Sequence, residues 1–203
     1  YDYNINPNNL VKKITKKTKA ILPVHWSGRI CNMRKIQKIS KKFKLNIVED
    51  ACHAITAKYN NKFAGKFGDF GCFSLHPLKN LNVWGDGGVV VSNDIKFINK
   101  IKLLRNHGLI DRDHVEILGY NSRLDTFQSI VANWLLPQAH DIANRRIKNA
   151  KYYDENLSMI TNLKIPNRPK NYKIVYHLYM IFAEKRDALY EYCLNNEIEA
   201  KIH

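Results

Sequence analysis

Three side chains at the ends of apolar runs carry the chemical interest of this sequence: Asp50, Ser74 and Lys79. Lys79 lies within Phe-Ser-Leu-His-Pro-Leu-Lys-Asn-Leu, residues 73 to 81, and Gly85-Asp86-Gly87-Gly88 follows it. Pro77 and the three glycines specify a fixed loop there, leading into a second apolar run at Val89–Val91, and they exclude a helix. Most of the 33 Lys and Arg residues are ordinary solvated cations. A lysine on such a loop beside buried strands instead loses hydration, which favours the neutral amine and makes it a usable nucleophile. Upstream, Val48-Glu49-Asp50-Ala51-Cys52-His53-Ala54 ends another apolar run on a carboxylate. An amine, a hydroxyl and a carboxylate at loop ends are what a pyridoxal phosphate site requires. The aldehyde needs the amine, the pyridine nitrogen an anion, and the phosphate hydrogen-bond donors.

The segments Glu49-Asp50-Ala51-Cys52-His53-Ala54 and Ser74-Leu75-His76-Pro77-Leu78-Lys79-Asn80-Leu81, with Gly85-Asp86-Gly87-Gly88 behind them, resemble the sugar aminotransferases of the DegT/DnrJ/EryC/StrS family. Ala20 to His25 with Gly28, Leu104 to Gly108, and Gly119 to Asp125 fit the same pattern, so the likeness covers nearly the whole chain. It implies a fold-type I, pyridoxal 5′-phosphate-dependent enzyme that transfers an amino group, from a donor such as glutamate, to a nucleotide-linked keto sugar. Lys79 is then the catalytic residue and holds the cofactor as a Schiff base. Asp50 faces the pyridine nitrogen, His53 lies near the ring and Ser74 binds the phosphate. Asn121 reaches the phosphate of the neighbouring subunit's cofactor, which implies a homodimer. His25 and His177 are candidates for the substrate side. Trp84 and Asp86 could wall the pocket and are kept out of the catalytic set. The likeness further implies that a first portion, with a phosphate-binding turn and a residue stacking on the ring, precedes Tyr1, and that the chain is a fragment.

Three other readings stand beside this one. A few related proteins are dehydratases with histidine in place of the lysine, and Lys79 argues against that here. A non-catalytic fragment of the same fold would serve as a structural or interaction module. A basic nucleic-acid binder would show salt-dependent binding to unspecific DNA without cofactor uptake.

The elements that must position these residues read as α/β. Pro7 opens a short polar helix over residues 7–18, with Leu10, Val11 and Ile14 as its apolar stripe. Ala20 to Val24 is an apolar strand, Met33, Ile36, Ile39 and Phe43 mark a helix over 32–43, and Leu45 to Val48 is the next strand. Strand, helix and strand in about thirty residues make a βαβ unit with parallel strands, whose carboxyl ends carry ligands. His25 and Asp50 fall at such ends. Asn60-Asn61 predicts a tight turn, and Asp69 to Ser74 a strand. One of Ser92, Asn93 or Asp94 caps a helix with Phe97, Ile98, Ile101 and Leu104 on its apolar face. A charged loop over 109–119, with Asp111, Asp113 and His114, has no metal-site register. Phe127, Ile130, Val131, Trp134 and Leu135 line a helix that Pro137 interrupts and that resumes to Leu157. The expected architecture is a three-layer, mostly parallel sheet of the fold-type I kind in a large domain, 1–136. Part of a small α+β C-terminal domain, 137–203, follows, with a strand from Ile174 to Phe182 containing His177, a helix over Asp187 to Asn195, and a strand over Ile198 to Ile202.

Composition sets the outer bounds. In 203 residues the formal net charge is +15. The cluster Lys12 to Lys19 contains no aromatic residue for base stacking, so the charge does not point to nucleic acid, and a basic surface suits an anionic substrate. No apolar run reaches the ~18 residues of a membrane span, and the polar start Tyr-Asp-Tyr-Asn is no signal peptide. The cysteines (Cys31, Cys52, Cys72 and Cys193) lack metal-ligand spacing and read as reduced thiols of a cytoplasmic protein.

Overall fold

A computed structural model describes residues 2–203; Tyr1, the first residue of the expected large domain and of its polar start, lies outside the described residues. The chain runs α1 (Pro7–Lys13), β1 (Ala20–Ile21), α2 (Met33–Phe43), β2 (Asn46–Asp50), β3 (Lys58–Tyr59), β4 (Lys62–Phe63), β5 (Phe70–Ser74) and β6 (Gly88–Val91). It continues with α3 (Ile95–Leu104), α4 (Thr126–Leu135), α5 (Ala139–Leu157), β7 (Leu163–Lys164), β8 (Tyr172–Lys173), β9 (Phe182–Ala183) and α6 (Arg186–Asn195).

The central sheet has the order β1-β2-β5-β6, with β1, β2 and β5 parallel and β6 antiparallel to β5. The βαβ unit forms because α2 has a good start, one greasy face and a clean stop. The Asn32 side chain accepts the Lys35 amide, Met33 and Ile36 are buried, and Lys44 ends the helix in the left-handed conformation. Lys41 and Lys42 in its last turn complement the helix dipole. In β2, Ile47 and Glu49 are buried on one face, while Val48 and Asp50 alternate to the other. The first core gathers Ile21, Ile30, Met33, Ile36, Leu45, Ile47 and the alanines 51, 54 and 57. A second core of Leu75, Leu81, Val83, Val131 and Ala139 lies under the Lys79 loop.

Asn60 and Asn61 both have positive φ and join β3 to β4 as the tight antiparallel turn read from the sequence. Asp94 is the cap of α3, its side chain accepting the Lys96 amide. Three elements differ from expectation. The first helix stops at Lys13, not near 18, because the Thr15 amide turns to the Thr18 hydroxyl, a local bond that competes with helix. No strand runs from Ile174 to Phe182: β8 ends at Lys173, Tyr176 takes φ +48°, and the Val175 and His177 amides bond instead to the carbonyls of Gly28 and Ser27. Residues 198–202 form no strand; the chain turns at Glu197 (φ +59°), leaving Ile198 and Ile202 exposed. Pro137 sits in a short 3-10 turn, Leu136–Gln138, between α4 and α5. Beyond it, Ala143 and Val175 enter the first core and β8 pairs with β3.

Candidate active site

The loop between β5 and β6 is built to hold one side chain in place. Leu75 and Val83 are buried and bonded to each other, the Val83 amide to the Leu75 carbonyl at 2.8 Å, and the Leu75 amide donates to the Gly87 carbonyl. Between them the Ser74 hydroxyl accepts the His76 amide, the His76 ring Nδ1 accepts the Leu78 amide, and the His76 carbonyl accepts the Lys79 amide at 2.8 Å. The Asn82 side chain ties down the carbonyls of Pro77 and Lys79. Lys79 emerges half-buried. Next to it Asn80 is buried: its amide nitrogen donates to the Val175 carbonyl at 2.9 Å, and its Oδ1 has no partner.

Asp50 ends β2, where its Oδ1 accepts the Cys52 amide at 3.1 Å. It pairs in register with Cys72 of the parallel β5, so Asp50, Cys72 and, two residues on, Ser74 share one face of the sheet. Lys79 and Asp50 act on the same side chains. Both charges reach Cys52 and His53, and Lys79 also reaches His177. Asp50 ends β2 and the Lys79 loop leaves the adjacent parallel β5, so both belong to the carboxyl-end edge of the sheet. Burial pushes the Cys52 thiol up to about 12, reinforced by its hydrogen bond with Asp50. It raises Cys72 as well, with Asp50 adding to the effect.

His53 and His177 meet here, ring centroids 4.2 Å apart, with Trp26 5.2 Å from His53. The His53 Nδ1 accepts the Ser27 amide at 3.2 Å, which leaves its proton on Nε2. The His177 Nδ1 is buried without a partner. Burial, then the charge of Lys79, holds His53 at about 4; burial, then His53 and Lys79, holds His177 at about 4. Both imidazoles are neutral at pH 7. Arg146 anchors the His177 segment by donating to the carbonyls of Tyr176 and His177.

The other candidates lie elsewhere. His25, expected on the substrate side, is 0% exposed, and both ring nitrogens are engaged: Nδ1 accepts the Cys31 amide and Nε2 donates to Glu49 at 2.8 Å. It has no atom left for a substrate, because the strand end that carries it is covered by the core. Asn121 is exposed, and its Oδ1 accepts from Arg123 Nε at 3.2 Å. Trp84 is exposed, beside Phe127 of α4. Phe127, Ile130 and Trp134 form an exposed apolar stripe on that helix, and Leu118 and Tyr120 in the preceding loop are exposed as well. The lysines 12–19 and 41–44 precede β1 and β2, at the sheet edge opposite Asp50, so the densest positive charge is not part of this site. A cavity of about 530 Å³ lined by Asp2–Pro7, Asn32 and Phe182 contains none of the candidate residues. Among the described residues no group of three or more His, Cys, Asp or Glu could hold a metal ion. Nor is any helix long and apolar enough to cross a membrane.

Sequence reasoning missed Glu49, Asn80, Trp26 and Arg146. Glu49 alone had a visible signal, being an acid two residues from Ile47 and hence on the core face of β2.

A profile of the DegT/DnrJ/EryC1/StrS aminotransferase family matches residues 1–203. The chain is 40% identical over 176 residues to a protein of Acidithiobacillus ferrooxidans named UDP-N-acetyl-3-dehydro-alpha-D-glucosamine 3-aminotransferase, covering 87% of this chain and 47% of that one. It is 36% identical to dTDP-3-amino-3,6-dideoxy-alpha-D-galactopyranose transaminase of Aneurinibacillus thermoaerophilus, covering 99% of this chain and 55% of that one. Among solved structures, DesV of Streptomyces venezuelae in complex with a ketimine intermediate superposes with a TM-score of 0.93 at 32% identity, over 97% of this chain and 53% of that one. The chain thus spans about half the length of the relatives it matches. Its sheet and its flanking helices are those of a fold-type I pyridoxal-phosphate transferase. With the family profile matching over the full 203 residues and the fold agreeing, the chain belongs to the DegT/DnrJ/EryC1/StrS aminotransferase family.

Proposed function

We propose that this chain is part of an aminotransferase that moves an amino group from an amino acid, such as glutamate, to a nucleotide-linked keto sugar. The observation that supports this reading is topological: Asp50 ends β2, Ser74 ends the adjacent parallel β5 on the same face, and the loop carrying Lys79 leaves that strand end. The donor set fits the family's cofactor, pyridoxal 5′-phosphate: one amine, one carboxylate and one hydroxyl line the same edge, and two buried polar atoms, His177 Nδ1 and Asn80 Oδ1, stand without partners. When bound, that cofactor supplies an electron sink for the carbon that loses its proton.

The chain's own residues divide the remaining work. Lys79 would hold the cofactor through its amine, and as the neutral base beside the substrate carbon it would take up and return the proton there. Its loop, fixed at Leu75 and Val83, limits the arc its amine can sweep. Asp50 would keep the pyridine nitrogen protonated, Ser74 would donate to the phosphate, and His53 would lie by the ring. His53 and His177 are neutral, so they add no positive charge beside Lys79; His53 Nε2 and His177 Nδ1 would remain for the ring and the substrate. Asn121 completes the phosphate site of a second subunit, and the exposed stripe Phe127, Ile130 and Trp134 supports such a homodimer, since apolar patches of this kind mark contact surfaces. The four free cysteines agree with a cytoplasmic setting. The division into a large domain, 1–136, and part of a small one, 137–203, belongs to the same proposal.

The test is to add pyridoxal phosphate to the full-length protein, record its absorbance, reduce with borohydride and map the modified peptide. The label is expected on Lys79, and Lys79→Ala is expected to lose both chromophore and activity. A protein without a visible chromophore, or a label on another lysine, refutes the assignment.

A further inference from the structure

Glu49 has no part in the chemistry above, yet its carboxylate meets four hydrogen-bond donors in the interior. It is 0% exposed. Its Oε2 accepts from His25 Nε2 at 2.8 Å and from the Gly65 amide at 2.9 Å; its Oε1 accepts from the amides of Phe67 at 2.5 Å and Gly68 at 2.6 Å. The four acceptor positions of an ionised carboxylate are thereby filled, leaving no room for a proton. His25 Nδ1 accepts the Cys31 amide, so the ring proton is on Nε2 and the ring is neutral. A buried anion is thus held by four donors, none of which needs a charge of its own.

What Glu49 joins is the frame of Asp50. The Asp50 amide donates to the Pro23 carbonyl and the Asp50 carbonyl accepts the His25 amide, so the residue before the site is clamped to the strand end that carries His25. On the other flank the Ala51 amide donates to the Cys72 carbonyl. The loop 65–68 lies so close that a Cβ on Gly68 would stand 2.6 Å from the Ile47 carbonyl oxygen, and one on Gly71 2.3 Å from the Gly65 Cα. One carboxylate therefore locks β1, β2 and this loop into a single unit, with Asp50 alternating to the opposite face as its working side chain.

We infer that Glu49, through His25, is the positioning residue for the pyridine-nitrogen carboxylate Asp50; this rests on the function proposed above. Substituting it leaves Asp50 chemically intact and mispositions it. The test uses the full-length protein as wild type, Glu49→Gln and His25→Gln, with three readouts. These are amide exchange at Gly65, Phe67 and Gly68, pyridoxal phosphate affinity by absorbance titration, and the pH midpoint of the bound chromophore. In Glu49→Gln, exchange at the three amides is expected to accelerate at least about tenfold, since charge-assisted bonds are replaced by weaker or opposed ones. Cofactor Kd is expected to rise about tenfold, and the chromophore midpoint to move because the pyridine nitrogen no longer meets a fixed anion. His25→Gln is expected to show the same changes in smaller measure. Faster amide exchange with unaltered Kd and midpoint would make Glu49 a stability residue only and overturn the inference. Should Glu49→Gln fail to fold, His25→Gln decides by the same criteria. A wild type that takes up no cofactor overturns the proposed function, and this inference with it; a wild type that does, alongside variants that match it, overturns this inference alone.

Discussion

The histidine pair gives the sharpest quantitative prediction. His53 and His177 lie 4.2 Å apart between ring centroids, each at about 4 where an ordinary histidine is near 6.5. Burial is the first cause for both. Lys79 opposes a proton on either ring, Arg146 and His203 oppose it on His177, and Asp50 alone favours it on His53. The sign follows from counting protons. In the unfolded chain both rings protonate near 6.5; in the folded protein they wait until about 4. Between those values the unfolded state binds up to two more protons, so stability falls as pH falls through that window and is untouched above it. A drop from 6.5 to about 4 corresponds to ~3.4 kcal/mol per ring at ~1.36 kcal/mol for each pH unit. Both rings are only half-buried, and solvent screening reduces this to about 1–2 kcal/mol each. For a chain of this size the full drop lowers Tm by roughly 4–16 °C, and about three-fifths of it is reached by pH 5. The assay is thermal unfolding of the full-length apoprotein from pH 8 to pH 5 at constant ionic strength, comparing wild type with His177→Gln. The variant removes one proton site, so its curve is expected to fall about half as far. Carboxylates contribute to both proteins alike above pH 5 and cancel in the difference. A wild-type His53 titrating near 6.5, or parallel curves, would refute the reasoning.

Gly71→Ala is expected to destabilise the protein by about 2–3 kcal/mol or prevent folding, because its Cβ would meet backbone that cannot yield; Gly85→Ala, whose Cβ meets only the flexible Gln128 side chain at 3.2 Å, is the near-neutral control in the same denaturant titration. Thiol reagents at pH 8 are expected to leave Cys31 and Cys52 unmodified in the folded protein, since burial pushes both thiols up to about 12; mass mapping after a timed quench checks this, and modification at the unfolded rate refutes it.

Much of the frame was legible in the order of residues. The spacing of Met33, Ile36, Ile39 and Phe43 was enough for α2, and Asn60-Asn61 for the β3–β4 turn, because both depend on neighbours within a few positions. The Lys79 loop could be read because proline fixes its own φ and glycine admits turn conformations closed to other residues, whatever surrounds them. The run 174–182 misled for the opposite reason. Its composition suits a strand, but the amides of Val175 and His177 found acceptors at Gly28 and Ser27, nearly 150 positions away.

Candidate identity and candidate role separated along the same line. Side-chain type named Asp50, Ser74 and Lys79, the family resemblance added His53, an expected strand added His177, and strand alternation placed Asp50 and Glu49 on opposite faces. Whether a histidine works or is walled in was not a local property. His25 and His53 both follow strand ends, yet one is sealed against Glu49 while the other stands over His177. Burial, tautomer and charge are set by what the rest of the chain brings within a few ångströms. That proximity is absent from a linear sequence and exists only once the sheet has closed.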